Sequence, residues 1–68
     1  MPFIKIDKKT GDSYFYEKNE SEKVLIPDHI VDTHTNIEME EIEGNEEFMI
    51  FSTNDKIFVE DMIKCLNQ

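Results

Sequence analysis

The spacing of apolar and polar positions changes several times along this chain, and each change marks an element. In Phe3-Ile4-Lys5-Ile6-Asp7, Ile4 and Ile6 share one face of an alternating run, so residues 3–7 read as a strand. Lys8-Lys9-Thr10-Gly11 reads as a hairpin turn, with Gly11 supplying the left-handed residue such loops end on. Residues 13–17 carry three successive aromatics, Tyr14, Phe15 and Tyr16, a strand signal with both faces partly covered. Lys18 to Lys23 holds no apolar residue and reads as a loop. Val24-Leu25-Ile26 is a short apolar run stopped by Pro27, which suits an edge or a strand end.

Two signals compete in the middle of the chain. Residues 27–36 fit one helical turn with Pro27 in its first position, or plain loop. Thr35-x-x-Glu38 is a capping box and Gly44 sits where a helix would end. Ile37, Met39 and Ile42, however, do not share one helical face, and three glutamates would crowd the negative end of the helix dipole. Ile37 and Met39 alternate with Glu38 and Glu40, which favours a strand over 36–43, and Glu41-Ile42 breaks the alternation where a bulge would. Gly44-Asn45 then reads as a two-residue turn into a strand over 46–53. Phe48-Met49-Ile50-Phe51 is apolar on both faces and is expected to be the central strand. Ser52-Thr53-Asn54 offers N-cap residues for an amphipathic helix over 55–66, with Phe58, Met62 and Leu66 at fourth positions beside Val59 and Ile63. The rival reading of that stretch is a hairpin turning at Asn54-Asp55.

The pattern predicts one small α+β domain over 1–68, mostly antiparallel, with hairpins over 3–17 and 36–53, four or five strands and one C-terminal helix. The expected core is Ile4, Ile6, Phe15, Leu25, Ile37, Met39, Phe48, Ile50, Phe58, Met62 and Leu66.

Composition narrows the class. The chain has 68 residues, 16 acids, 7 lysines, no arginine and one cysteine, for a net charge of -9. That length makes one domain and not two. No apolar run approaches the roughly 18 residues of a membrane span, and the first residues lack the apolar stretch of a secretory signal. A lone cysteine closes no internal disulfide, which suits a reducing, cytoplasmic setting. The negative charge argues against direct binding to nucleic acid or anionic lipid. A core this small and unstapled leads us to expect self-association, such as a homodimer, or a tight partner. The expected surface for it combines Tyr14 or Tyr16 with an unpaired edge at Val24–Ile26.

The charge is also segregated. Residues 1–23 and 56–68 each balance to zero, whereas residues 24–55 carry nine acids and no lysine. Such a run is either a solvated face or a focused negative potential that steers toward a basic partner.

Little else points to catalysis. Asp28-His29-Ile30-Val31-Asp32-Thr33-His34 matches no metal-ligand spacing, and both histidines read as surface loop residues. Cys65, late in the expected helix, reads as a small, partly buried structural residue, because the negative helix end opposes a thiolate. The serines lack a nucleophile elbow, two glycines build no phosphate cradle, and Glu46-Glu47 is expected to point to opposite sides of a strand rather than across a cleft. No enzyme, metal or cofactor is expected. The aromatic stripe reads first as core and second as the edge of a protein interface at Tyr14 and Tyr16.

These readings converge on a protein-binding role. Alternate glutamates on one face of a strand lie about 6.8 Å apart, close to the spacing of successive phosphates on one DNA strand. In its size and segregated charge the chain resembles the DNA-mimic inhibitors and anti-defence proteins of bacteriophages, a resemblance of type that covers no motif. The expected function is a small acidic inhibitor or adaptor that docks on a basic protein, such as a nucleic-acid enzyme. Glu38, Glu40, Glu41, Glu43, Glu46 and Glu47, with Tyr14 and Tyr16, would form the partner-binding surface. The alternative is an oligomeric accessory or regulatory protein whose acidic face is only solubilising.

Overall fold

A computed structural model describes residues 1–67. Five antiparallel strands form one sheet: β1 (Phe3–Asp7), β2 (Ser13–Tyr16), β3 (Val24–Leu25), β4 (Met39–Gly44) and β5 (Phe48–Thr53), in the order β3-β2-β1-β5-β4. A 3-10 turn spans Glu20–Glu22, and two helices, α1 (Asp28–Thr33) and α2 (Lys56–Leu66), complete the chain. The architecture is α+β, as the residue pattern predicts.

Local chemistry explains most of the boundaries. The β1–β2 hairpin closes through Gly11, whose φ of 80° lies in the left-handed region, and its N–H donates to the Asp7 carbonyl. β4 bulges between Glu41 and Glu43, where Ile42 interrupts the alternation. The following turn differs from the expected Gly44-Asn45. Gly44 still pairs with Met49, Asn45 closes on Phe48, and Glu46-Glu47 form the corner. The Asn45 side chain drives the shift, because its Oδ1 accepts from the N–H groups of both Glu47 and Phe48. The two glutamates therefore cap a turn instead of alternating across a strand.

Residues 28–33 are helical, with Pro27 capping α1 rather than occupying its first turn. Asp55, rather than a residue of Ser52–Asn54, caps α2, because its carboxylate accepts from the Phe58 N–H at 3.1 Å.

The core lies between one sheet face and both helices. It joins Ile4, Phe15 and Ile26 to Ile30 of α1 and to Phe58 and Met62 of α2. Phe15 meets Phe58 edge to face, with ring centroids 5.8 Å apart. Strand register selects these residues, since Ile4 is paired with both Phe15 and Phe51.

The same register corrects several expected core members. Leu25 pairs with Tyr14 on the other sheet face and is exposed, while its neighbours Val24 and Ile26 turn inward. Met39 sits at the rim of edge strand β4 and is exposed. Leu66 is exposed because, at 3.6 residues per turn, it stands about 80° round α2 from Phe58, while Cys65 stands only about 20° away. Cys65 accordingly packs against the core. Ile50 is buried as expected, but it and the half-buried Phe48 lie on the face opposite the helices. The central strand is β1, flanked by β2 and β5, and β5 lies one place off centre.

Candidate partner-binding face

Opposite the helices lies the open face of the sheet: no described helix covers it, although Tyr16 and Ile50 are buried there. Reading the paired residues across the strands, one row runs Leu25, Tyr14, Lys5, Ile50, Glu43, and the next runs Tyr16, Phe3, Ser52, Glu40. Phe48 lies beside Asp7 in the row beyond Lys5. Phe3 and Tyr16 stack at 5.1 Å. The Lys5 ammonium lies 4.4 Å from the Phe48 ring centroid and pairs with Glu20, which the β2–β3 connection brings over this side. Lys23 sits 5.6 Å over Tyr14.

The structure divides the expected site residues. Tyr14, Tyr16, Glu40 and Glu43 share the open face. Glu41, opposite Phe51, belongs to the helix side of the sheet and lies against Gly44, where an added Cβ would stand 3.1 Å from its carboxylate. Glu46 and Glu47 cap the turn. Glu38 precedes β4 and is held through its backbone: its carbonyl accepts from Thr53 Oγ1 at 2.8 Å, and its N–H donates to Asp55 Oδ2 at 3.4 Å. All six glutamates are exposed. The bulge decides which carboxylates share a face. In a regular strand Ile42 would follow Glu40 on the open side and Glu43 would turn away, but the unpaired Ile42 hands that place to Glu43.

Phe3, Lys5, Glu20, Phe48 and Ile50 were not expected at this site. For Phe3 and Lys5 the signal lies in the alternation Phe3-Lys5-Asp7, the face of β1 opposite Ile4 and Ile6.

The charges on this face perturb one another. The hydrogen bond from Lys5 holds the Glu20 carboxyl below its ordinary value, and Glu20 in turn raises the Lys5 ammonium. Burial, and then the Glu20 charge, push the Tyr16 phenol up.

His29 is exposed as expected but lies on a helix rather than a loop, whereas His34 is not a surface residue. His34 is half-buried where α1 ends, stands edge-on to Phe58 at 5.6 Å, and binds Asp61 of α2 through Nε2 at 2.7 Å. This contact ties the two helices together. His29 lies on α1, with Nε2 4.0 Å from Cys65 Sγ. Among the described residues no group of three or more His, Cys, Asp or Glu is arranged to hold a metal ion. No described helix is long and apolar enough to cross a membrane.

The Asp55 cap makes folding sensitive to acid. Its carboxyl lies below the ordinary 3.8, first because of the hydrogen bond from the Phe58 N–H. A lowered folded value means that stability is present above the unfolded value and lost as pH falls through the folded one. Asp55→Asn keeps the acceptor without the charge. The wild type is expected to melt above this variant at neutral pH, and the gap is expected to close below about pH 4 in thermal unfolding followed by circular dichroism.

Comparison with protein-family models, curated proteins and solved structures found no match.

Proposed function

We propose that the protein is a small acidic inhibitor or adaptor that docks on the basic, nucleic-acid-binding surface of a partner protein. One observation supports this most. The acidic segment folds as a free edge strand and its turn, with six exposed glutamates, and among the described residues the single lysine–carboxylate pair is Lys5–Glu20. Among the described residues none of the six pairs with a lysine or histidine. Crowding them costs self-repulsion, which a positive partner relieves. The mechanism is competitive occlusion: the carboxylates fill a groove meant for phosphates, with electrostatically steered association. The DNA-mimic inhibitors of bacteriophages are the type of protein this reading implies.

A second reading has its own support. β4 is an edge strand carrying charges and a bulge, two devices that keep edges from pairing. On that reading the acids protect and solubilise an oligomeric accessory protein.

A partner captured by pull-down separates the two. Occlusion requires binding that weakens steeply with salt and is displaced by duplex DNA. Binding insensitive to salt and to DNA, or a stable homo-oligomer in light scattering with no basic partner, favours the second reading and overturns the first.

A further inference from the structure

We infer that the open sheet face, rather than the acidic hairpin as a whole, is the docking surface, and that its occupant is an arginine-bearing segment of the partner. The inference rests on the basic-partner reading and narrows it to one side of the sheet.

Four observations converge there. The bulge sets Glu43 with Glu40 on the side that holds Tyr14, Tyr16 and Phe3, while Glu41 is on the other side. Carboxylates on β4 and aromatics on β1 and β2 thus share one face, with Ser52 and Ile50 of β5 between them, a combination that suits a segment bearing more than one flat, weakly hydrated cation. Next, Tyr16 is only 8% exposed, yet its hydroxyl makes no hydrogen bond among the described residues. Among the described residues no buried side-chain polar atom lacks a partner, so that oxygen reaches the surface, in the field of Glu20, Lys5 and Glu43. A phenol both donates and accepts, and this one is held ready toward the open side. Third, two ring faces here already carry ammonium groups of the chain itself, Lys5 on Phe48 and Lys23 on Tyr14. The face therefore has the chemistry to hold cations. A guanidinium exceeds an ammonium at either side of this face, because it can stack on a ring or fork to a carboxylate. Finally, Glu20 neutralises Lys5, the cation nearest the middle of the face, so an incoming arginine meets little repulsion there.

The chain as it stands, labelled with nitrogen-15, can be titrated at low salt with octa-arginine, octa-lysine and an uncharged octapeptide. Amide shifts are expected to concentrate at Phe3, Lys5, Tyr14, Tyr16, Glu40 and Glu43, with octa-arginine the tightest binder. Two double reversals of equal charge are compared, Glu40→Lys with Glu43→Lys and Glu41→Lys with Glu46→Lys. The first is expected to weaken octa-arginine at least about tenfold and the second only about two- to threefold. Tyr16→Phe, which keeps the ring packing, is expected to weaken binding a few-fold with the spectrum otherwise native. Equal losses from the two reversals would overturn the face assignment while leaving a basic partner in place. Equal binding of octa-lysine would overturn the arginine assignment. Open-face shifts on concentrating the protein alone would make a second copy the occupant and overturn the inference. Absence of binding by either cationic peptide would overturn both this inference and the reading beneath it.

Discussion

Replacing Phe58 by alanine is expected to unfold the protein at room temperature. Phe58 is fully buried, meets Phe15 and His34 edge-on, and joins α2 to the sheet and to the end of α1. Truncating a buried phenylalanine costs about 3–5 kcal/mol, and a single core in a chain of this size supplies roughly the same amount. Removing this ring also opens a void beneath His34, whose bond to Asp61 ties the helices. Phe58→Leu retains most of the volume and is expected to stay folded with a lower melting temperature. Urea titration followed by circular dichroism checks both. A cooperative transition in Phe58→Ala with an unchanged midpoint would mean that the helix does not carry the core.

Thr53→Val is expected to destabilise the fold by about 1–3 kcal/mol despite conserving shape. Thr53 is 1% exposed, and its hydroxyl donates to the Glu38 carbonyl and accepts from the Asp55 N–H. Valine removes both bonds at once. The effect is not confined to Thr53, because Asp55 also accepts from the Glu38 N–H while capping α2. One hydroxyl and one carboxylate therefore fix the start of the acidic strand and the start of the helix together. Thr53→Ser, which restores the hydroxyl and loses one methyl group, is expected to recover most of the stability. Thermal unfolding measures the cost, and amide hydrogen exchange at Glu38 and Asp55 locates it. Unchanged exchange at both amides would show that the hydroxyl does not hold this junction.

The junction shows how far a linear reading extends. Ser52-Thr53-Asn54 ahead of an apolar run announces a helix start, and the helix is capped one residue later, at Asp55. That the threonine turns back to a carbonyl 15 residues earlier has no local signal. Tyr16 is similar. Its place in an aromatic strand was legible, but its burial depends on Phe3 stacking from the next strand.

The sequence by itself determined what depends on near neighbours: strands at 3–7 and 13–17, the second ending at Tyr16 in the structure, the glycine-closed turn between them, the interrupted alternation at Glu41-Ile42, and the apolar stripe of α2. Each follows from steric limits or from a repeat within a few residues. Only the tertiary structure decided that β1 is the middle strand, that the helices cover one face alone, and that His34 reaches Asp61. Phe48–Phe51 is apolar on both faces whereas β1 carries Lys5 and Asp7 on one, so near neighbours alone favour β5 as the centre. The choice was made by pairings between residues more than 40 positions apart, such as Ile4 with Phe51, whose energies depend on long-range closure and on packing with α2. The same pairings gathered Tyr14, Tyr16, Glu40 and Glu43 onto one face, a grouping that no local repeat encodes.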